Sequence, residues 1–493
     1  MHASSRWKML NLTWVSFFLT FVVWFNLAPF SSSIARALHL TPEQAKTLLI
    51  CNVALTIPAR IMVGMLVDRF GPRRVFTAIL VIFAVPCILC AMATEYWQLV
   101  VLRLLVSGIG AGFVVGIRLV GEWFDARQIG LAEGIYGGCG NFGMAAATFG
   151  LPLIAGLWGG ENGWRWAMAI SGVLCVLWAG VFYRYAKDAP PGKHFKASKK
   201  KGALEVSSRG DLMVLCLMQI PMVVCLGVLT WKLVGVHLVA PWVSYLIYGG
   251  LTVLLGQQIL KIRSVNRVVL ESGRNGKAAA EPEHRYSFSQ VAILCLCYAV
   301  TFGGELAVES MLPEYLEKMF HLSVALAGVL GAGFAFASLI ARPLGGYLGD
   351  KFGRRPIILI SLAGSALGFF GIYQIDHTWP LWAVMVVVFT AGLFLMAANG
   401  ANFCIAPLIR KPLTGQIAGL IGAYGNVGSV AFLTILSLTS VGVFFVTMGV
   451  VGAIAFAACF LLREPVRHVA HEARVTPAEL TASDQGMPAV AMG

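Results

Sequence analysis

Apolar residues fall in long unbroken runs separated by short polar connections. The runs lie at about 12–30, 43–66, 75–93, 98–120, 130–158 and 165–185, then 212–230 and 238–260, then 289–316, 322–347, 356–374, 380–406, 415–438 and 441–462. Most match the roughly 20 residues that a helix needs to cross a bilayer. Unbroken apolarity of this length requires helices, because lipid offers backbone groups no hydrogen-bond partner. The grouping of six, two and six predicts an all-α polytopic membrane protein. Its expected units are an N-terminal six-helix bundle (1–188), basic connections around an inserted membrane hairpin (189–288, hairpin 212–260), a C-terminal six-helix bundle (289–465) and a disordered tail (466–493).

Charge then orients the spans. The connections at 68–74 (DRFGPRR), 121–129 and 350–355 (DKFGRR), Arg410 with Lys411, and the tail from Arg463 are charged and mostly basic. The connections between them carry few charges, so the basic set is expected in the cytoplasm. Residues 187–209 and 261–285 are also rich in Lys and Arg, so 212–260 should cross out and back; an amphipathic segment lying on the membrane is the alternative. Arg6 and Lys8 precede a first run too long for a signal-peptide core. Both termini are therefore expected on the cytoplasmic side of a cell inner (plasma) membrane.

Composition sharpens this picture. Of 493 residues 58% are hydrophobic and 12% charged, against roughly 25% charged in a soluble domain, which argues against a soluble enzyme. The net charge of +14 lies mainly in the basic connections, so it calls for no nucleic-acid partner. Most of the eleven Cys sit inside apolar runs and read as small hydrophobic residues. There is no GxxxxGK[ST] loop and no HExxH, and HEAR at 471–474 lacks a suitably placed second His. Neither a cofactor nor a metal is expected.

The two six-span groups repeat each other. Arg60, Gly64, Asp68, Phe70 and Gly71 recur as Arg342, Gly346, Asp350, Phe352 and Gly353 at an offset of 282, and Gly140-Asn141-Phe142-Gly143 recurs as Gly425-Asn426-Val427-Gly428 at an offset of 285. Such repeats imply a substrate site near the midplane where the halves meet. Gly64 followed by MLVDRFGPRR, and Gly346 followed by YLGDKFGRR, resemble the loop signature of the major facilitator superfamily. Arg103 with Ser107-Gly108-Ile109-Gly110-Ala111-Gly112 is similar to its fourth-helix motif. An Asp at a helix end can cap a neighbouring helix and pair with adjacent cations. Asp68, Arg69 and Arg73, with Asp350, Lys351 and Arg354, are thus candidates for a conformational latch; a purely topological role is the alternative. Arg118 and Glu122, four apart, read as a local pair.

A charge at mid-membrane costs several kcal/mol unless it is used. Arg60 and Arg342 each lie eight residues, about 12 Å, before the charged end of an apolar helix. With no obvious adjacent acid, two facing guanidinium groups would form an anion site matched to a flat oxyanion. Locked ion pairs with neighbouring carboxylates are the alternative. At 134–143 (GIYGGCGNFG) and 419–428 (GLIGAYGNVG), glycines clear one helix face for a partner helix or ligand, and Asn supplies an amide there.

The segment AEGIYGGCGNFG with its partner GLIGAYGNVG resembles the paired signature of the nitrate/nitrite porter family, closest to its cyanobacterial and plant-type members. The resemblance implies transport of nitrate, and possibly nitrite, by alternating access. It implies substrate contacts from Arg60, Arg342, Asn141, Asn426, Gly140 and Gly425, and aromatic clamping by Phe113, Tyr298 and Phe302. Some members exchange nitrate for nitrite and others take up nitrate with protons. Carboxylates near the expected site, Glu305 above all, with Glu133 and Glu309, point to proton coupling, with exchange as the alternative. Another small anion, or a nitrate sensor that does not transport, are rival readings. A monomer in the lipid bilayer is expected.

Overall fold

A computed structural model describes residues 2–157, 162–195, 197, 203–271 and 286–464. The tail at 466–493, with its HEAR sequence, and the greater part of the 261–285 connection lie outside these residues. The described residues form fourteen helical spans long and apolar enough to cross a membrane. The first six are α1 (Ser5–Ala37), α2 (Cys51–Phe70), α3 (Pro72–Cys90), α4 (Tyr96–Trp123), α5 (Ile129–Leu157) and α6 (Gly163–Tyr185). The middle pair is α7 (Arg209–Gly235) and α8 (Pro241–Val265). The last six are α9 (Phe288–Phe320), α10 (Leu326–Phe352), α11 (Arg354–Tyr373), α12 (Leu381–Ile409), α13 (Lys411–Leu438) and α14 (Val441–Cys459).

Glycine decides where the two halves meet. Span α5 crosses α10, and α13 crosses α2, each through a facing glycine pair. A methyl group on Gly64 would sit 2.4 Å from the Gly415 carbonyl oxygen, and one on Gly346 only 1.9 Å from that of Gly130. Backbones this close leave no room for any side chain. One turn further along, the Asp68 carboxylate accepts the Gly415 and Gln416 amides, both at 2.9 Å. Asp350 accepts those of Gly130 and Leu131 at 3.0 and 2.9 Å. Each half thus caps the first turn of a helix in the other, where unpaired N–H groups and the helix dipole favour an anion.

The charges around these caps differ from the sequence expectation. Arg118 pairs with Glu122 and also with Asp68, at 3.0 Å. The local pair is therefore half of a bridge reaching α2. Arg354 bonds Asp350 at 2.9 Å and the Ala126 carbonyl at 2.5 Å. Arg73 turns away, lying over the Tyr183 ring and giving its amide to Asp188, while Arg69 and Lys351 lie over Phe70 and Phe352. Desolvation holds the Asp188 carboxyl above the ordinary Asp range despite the Arg73 amide.

The hairpin runs the full depth of the helical body. At one end Glu205 pairs with Arg410 at 3.4 Å. Midway the Tyr424 hydroxyl donates to the Met218 carbonyl at 2.8 Å, and at the far end Lys232 reaches Ser437 at 3.2 Å. Span α7 is thus parallel to α13 along its length, a geometry that a surface-lying segment would not give. Both hairpin ends return to one side, where Asn266 bonds Val206 and Arg209 bonds Leu270. Span α8 packs mainly on α7 and leaves Trp242, Tyr245 and Leu254 exposed, as a lipid-facing helix would.

The caps close the end that carries the basic connections, where Lys411 also reaches Glu122 at 3.5 Å. Asp350→Asn keeps the shape but removes the charge the α5 terminus requires. Spin labels at positions 127 and 411 should then report a longer mean separation than in the parent protein; an unchanged distance distribution would count against a capping contribution to closure.

Candidate functional site

Arg60 and Arg342 are both buried, at 0% and 2% exposure, deep between the halves. Their own helices could not hold them there without glycine across the interface. The backbone of Arg60 rests on Gly419 and that of Arg342 on Gly134 and Gly400. The Phe302 ring lies 5.0 Å from the Arg60 guanidinium carbon and 5.8 Å from that of Arg342.

Their compensation is unequal. Arg60 donates Nη1 to the Gly422 carbonyl at 2.5 Å and Nε to that of Gly110 at 3.3 Å. The Trp24, Phe113 and Phe302 rings surround it at 5.8, 5.6 and 5.0 Å, offering quadrupoles rather than a counter-charge. Its Nη2 has no hydrogen-bond partner among the described residues. Arg342 instead donates Nη2 to Glu305 at 2.6 Å. The expectation that neither arginine has an adjacent acid is therefore corrected for Arg342: the neighbouring helix α9 supplies one. An acid 37 residues away in sequence carries no local signal of that contact.

Around the arginines the aromatic rings form flat walls. Phe113 and Tyr298 are parallel to within 2°, with centroids 6.3 Å apart, and Phe403 stands edge-on to them at 4.6 and 4.5 Å. Tyr298 stacks on Phe302 at 4.9 Å, as i, i+4 neighbours on one helix face do. Gly425 permits this: a methyl there would meet both rings at 2.7 Å. Gly140 serves Phe17 in the same way, so the two glycines act through rings packed against them.

The amides complete the centre. Asn141 donates to Glu305 at 3.2 Å and Asn399 to its other oxygen at 2.7 Å. Asn426 is fully buried, and neither end of its amide has a partner among the described residues. The three candidate carboxylates separate. Glu305 is central, and Glu309 lies one turn on along the same helix. Glu133 is buried near the Asp350 cap, with no hydrogen bond to its carboxylate among the described residues. Trp24, Phe403 and Asn399 were not among the sequence candidates. Trp24 and Asn399 sit in apolar runs where nothing distinguishes them from packing residues.

Trp24 is held by a buried polar knot. Arg103 donates to Asn26 at 2.8 Å, the Trp24 carbonyl at 2.7 Å and Asn52 at 2.5 Å, and Trp24 donates its indole N–H to the Asn52 carbonyl at 2.6 Å. With cations, amides and parallel rings, the centre is equipped to hold a small planar anion.

The model for the Major Facilitator Superfamily matches residues 13–265 and 294–486. The nitrate/nitrite transporter NrtP of Nostoc punctiforme is 43% identical over 470 residues, covering 94% of this chain and 93% of that protein. The chain belongs to the nitrate/nitrite porter family of the major facilitator superfamily. Another member of this porter family, NrtP of a Picosynechococcus species, is 40% identical over 94% of both chains. The fold is that of major facilitator proteins more widely: the proton:xylose symporter XylE superimposes with a TM-score of 0.61 at 15% identity, over 94% of this chain and 97% of that one.

Replacing Arg103 with Leu strands three buried polar acceptors, each costing about 1–3 kcal/mol. Thermal unfolding in detergent should show a stability loss of about 3 kcal/mol or more, larger than for Arg69→Leu, whose guanidinium lies outside the core.

Proposed function

We propose that this protein carries nitrate, and nitrite with it, across the cell's inner membrane by alternating access, with uptake coupled to protons. The carrying observation is the pair of buried arginines sharing the Phe302 ring beside parallel aromatic walls. A planar oxyanion can take paired donors from a guanidinium in its own plane while rings cover its faces. The names of the NrtP relatives agree with such a substrate. Proton coupling draws its support from Glu305: a carboxylate bonded to Arg342 in the centre is placed to feel the anion's arrival directly.

In this reading the molecule works as a monomer, with residues 1–188 and 289–465 as two rocking bundles. The 189–288 insertion rides along α13, and both termini lie in the cytoplasm with the basic connections. Asp68 and Asp350, with Arg118 and Arg354, latch the cytoplasmic side and release it when the halves rock.

Arg60→Lys and Arg342→Lys keep the charge but lose the paired planar donors. In proteoliposomes each should reduce nitrate uptake to background, and parent-like uptake in both would remove the anion assignment. An inward proton gradient should drive uptake in the parent without internal nitrite; uptake that follows only preloaded nitrite would replace symport with exchange.

A further inference from the structure

The internal repeat makes the two halves of the centre comparable position by position, and at one position they disagree. Gly140 meets Phe17 and Gly425 meets Tyr298; Gly143 meets the Phe18 carbonyl and Gly428 that of Ala299. Both pairs set the α1-to-α9 offset at 281. At that offset Phe21 corresponds to Phe302, and Trp24 corresponds to Glu305.

In the C-terminal half Glu305 bridges Arg342, at 2.6 Å, and Asn141, at 3.2 Å. The equivalents of those two residues are Arg60 and Asn426. Among the described residues no carboxylate bonds to either: Trp24 presents its ring to Arg60, and Arg60 Nη2 and both ends of the Asn426 amide have no hydrogen-bond partner, whereas in the other half only Arg342 Nε and Asn141 Oδ1 are left over. Asn426 follows Gly422 by four residues, hence on the same helix face, and the Gly422 carbonyl accepts from Arg60. A guanidinium donor and an amide donor are thus filled by an anionic side chain in one half and unfilled by protein in the other.

We propose that Glu305 is a tethered stand-in for the transported anion, occupying the Arg342–Asn141 half-site while the Arg60–Asn426 half-site receives the anion first. This rests on the anion-transport reading above. The anion can claim Arg342 only by taking it from Glu305. A carboxylate deprived of its cation in a buried centre is too costly to keep charged, so it takes a proton from water. One ion pair breaks and one forms: carboxylate·guanidinium plus proton plus anion gives carboxylic acid plus anion·guanidinium. The exchange leaves the net charge of the centre unchanged.

The groups around Glu305 suit this exchange. Arg342 on α10 is the cation facing it, Asn141 on α5 and Asn399 on α12 are amides, and Tyr298 and Glu309 on its own helix are the other titratable neighbours. At the adjoining glycines, α13 and α14 bring Gly428, Ser429 and Met448. Between Asp211 and Lys232, α7 carries only the thiols of Cys216 and Cys225 as ionisable groups.

Calorimetry of the full-length protein in detergent, with sodium nitrate as titrant in two buffers of different ionisation enthalpy, tests the exchange. Nitrate binding should take up about one proton at pH 8, and affinity should fall about tenfold per pH unit while Glu305 is ionised. Glu305→Gln should bind nitrate more tightly at pH 8, with no proton uptake and no pH slope. Asn426→Ala should weaken binding about tenfold while keeping the slope. Parent protein that binds nitrate without proton uptake from pH 5 to 9 overturns the exchange, whatever the folding of the variants, and leaves the anion site standing. Unaltered affinity in Asn426→Ala overturns the assignment of the first half-site. No nitrate binding by folded parent protein at any pH sinks the anion reading and this inference with it.

Discussion

A guanidinium in the middle of a bilayer-spanning body must be neutralised by something, and the choice of what neutralises it governs the rest of this structure. In a bilayer-spanning interior an uncompensated charge costs several kcal/mol. Arg342 is answered by a carboxylate, with two amides holding the carboxylate in turn. Arg60 is answered by two backbone carbonyls and three ring faces. The second solution lacks a counter-charge, and each guanidinium leaves one donor over among the described residues, Nη2 on Arg60 and Nε on Arg342. A site that must bind an anion and let it go benefits from that inequality, because a fully compensated pair of arginines would offer an incoming anion nothing.

The same glycines that bring the helices together deliver those carbonyls. Gly64 against Gly415 and Gly130 against Gly346 set the closest approach. Gly419 and Gly134 then receive the backbones of the two arginines, one turn from the contacts. The aspartate caps extend the same helix faces by another turn in the opposite direction. Each carboxylate accepts two backbone amides, charge-assisted bonds of about 1.5–3 kcal/mol each. The capping aspartates and the buried arginines therefore lie on one helix in each half, α2 and its repeat α10.

Much of this architecture was legible in the chain. Span number follows from run length, because lipid leaves the backbone only helices. The repeat offsets identify Arg60 with Arg342 and Asn141 with Asn426 as equivalent positions. The partners of the charges were not legible. Glu305 reads as one of several acids in a helix, and nothing local says that its oxygens face Arg342 and Asn399, on helices packed from the side. Arg118 has a ready partner at i+4, which hides its bridge to Asp68. Trp24 and Phe403 are indistinguishable from packing residues until the rings around them are placed. Contacts within a helix leave a periodic trace in sequence, whereas contacts between helices leave one only where the repeat duplicates them.

That limit explains why the most consequential feature lies where the repeat fails. Symmetry predicts a matched pair at Trp24 and Glu305, and the chain supplies a neutral ring and an acid. The ring keeps the N-terminal half permanently polarised toward an anion, since a cation over an indole retains most of its charge. In the exchange proposed above, the acid makes the C-terminal half conditional on protonation. Two identical half-sites would bind one anion between them with no reason to consult the proton; two carboxylates would bind none until both were neutralised. One of each would, on the same proposal, tie a single anion to a single proton through the side-chain difference between Trp24 and Glu305.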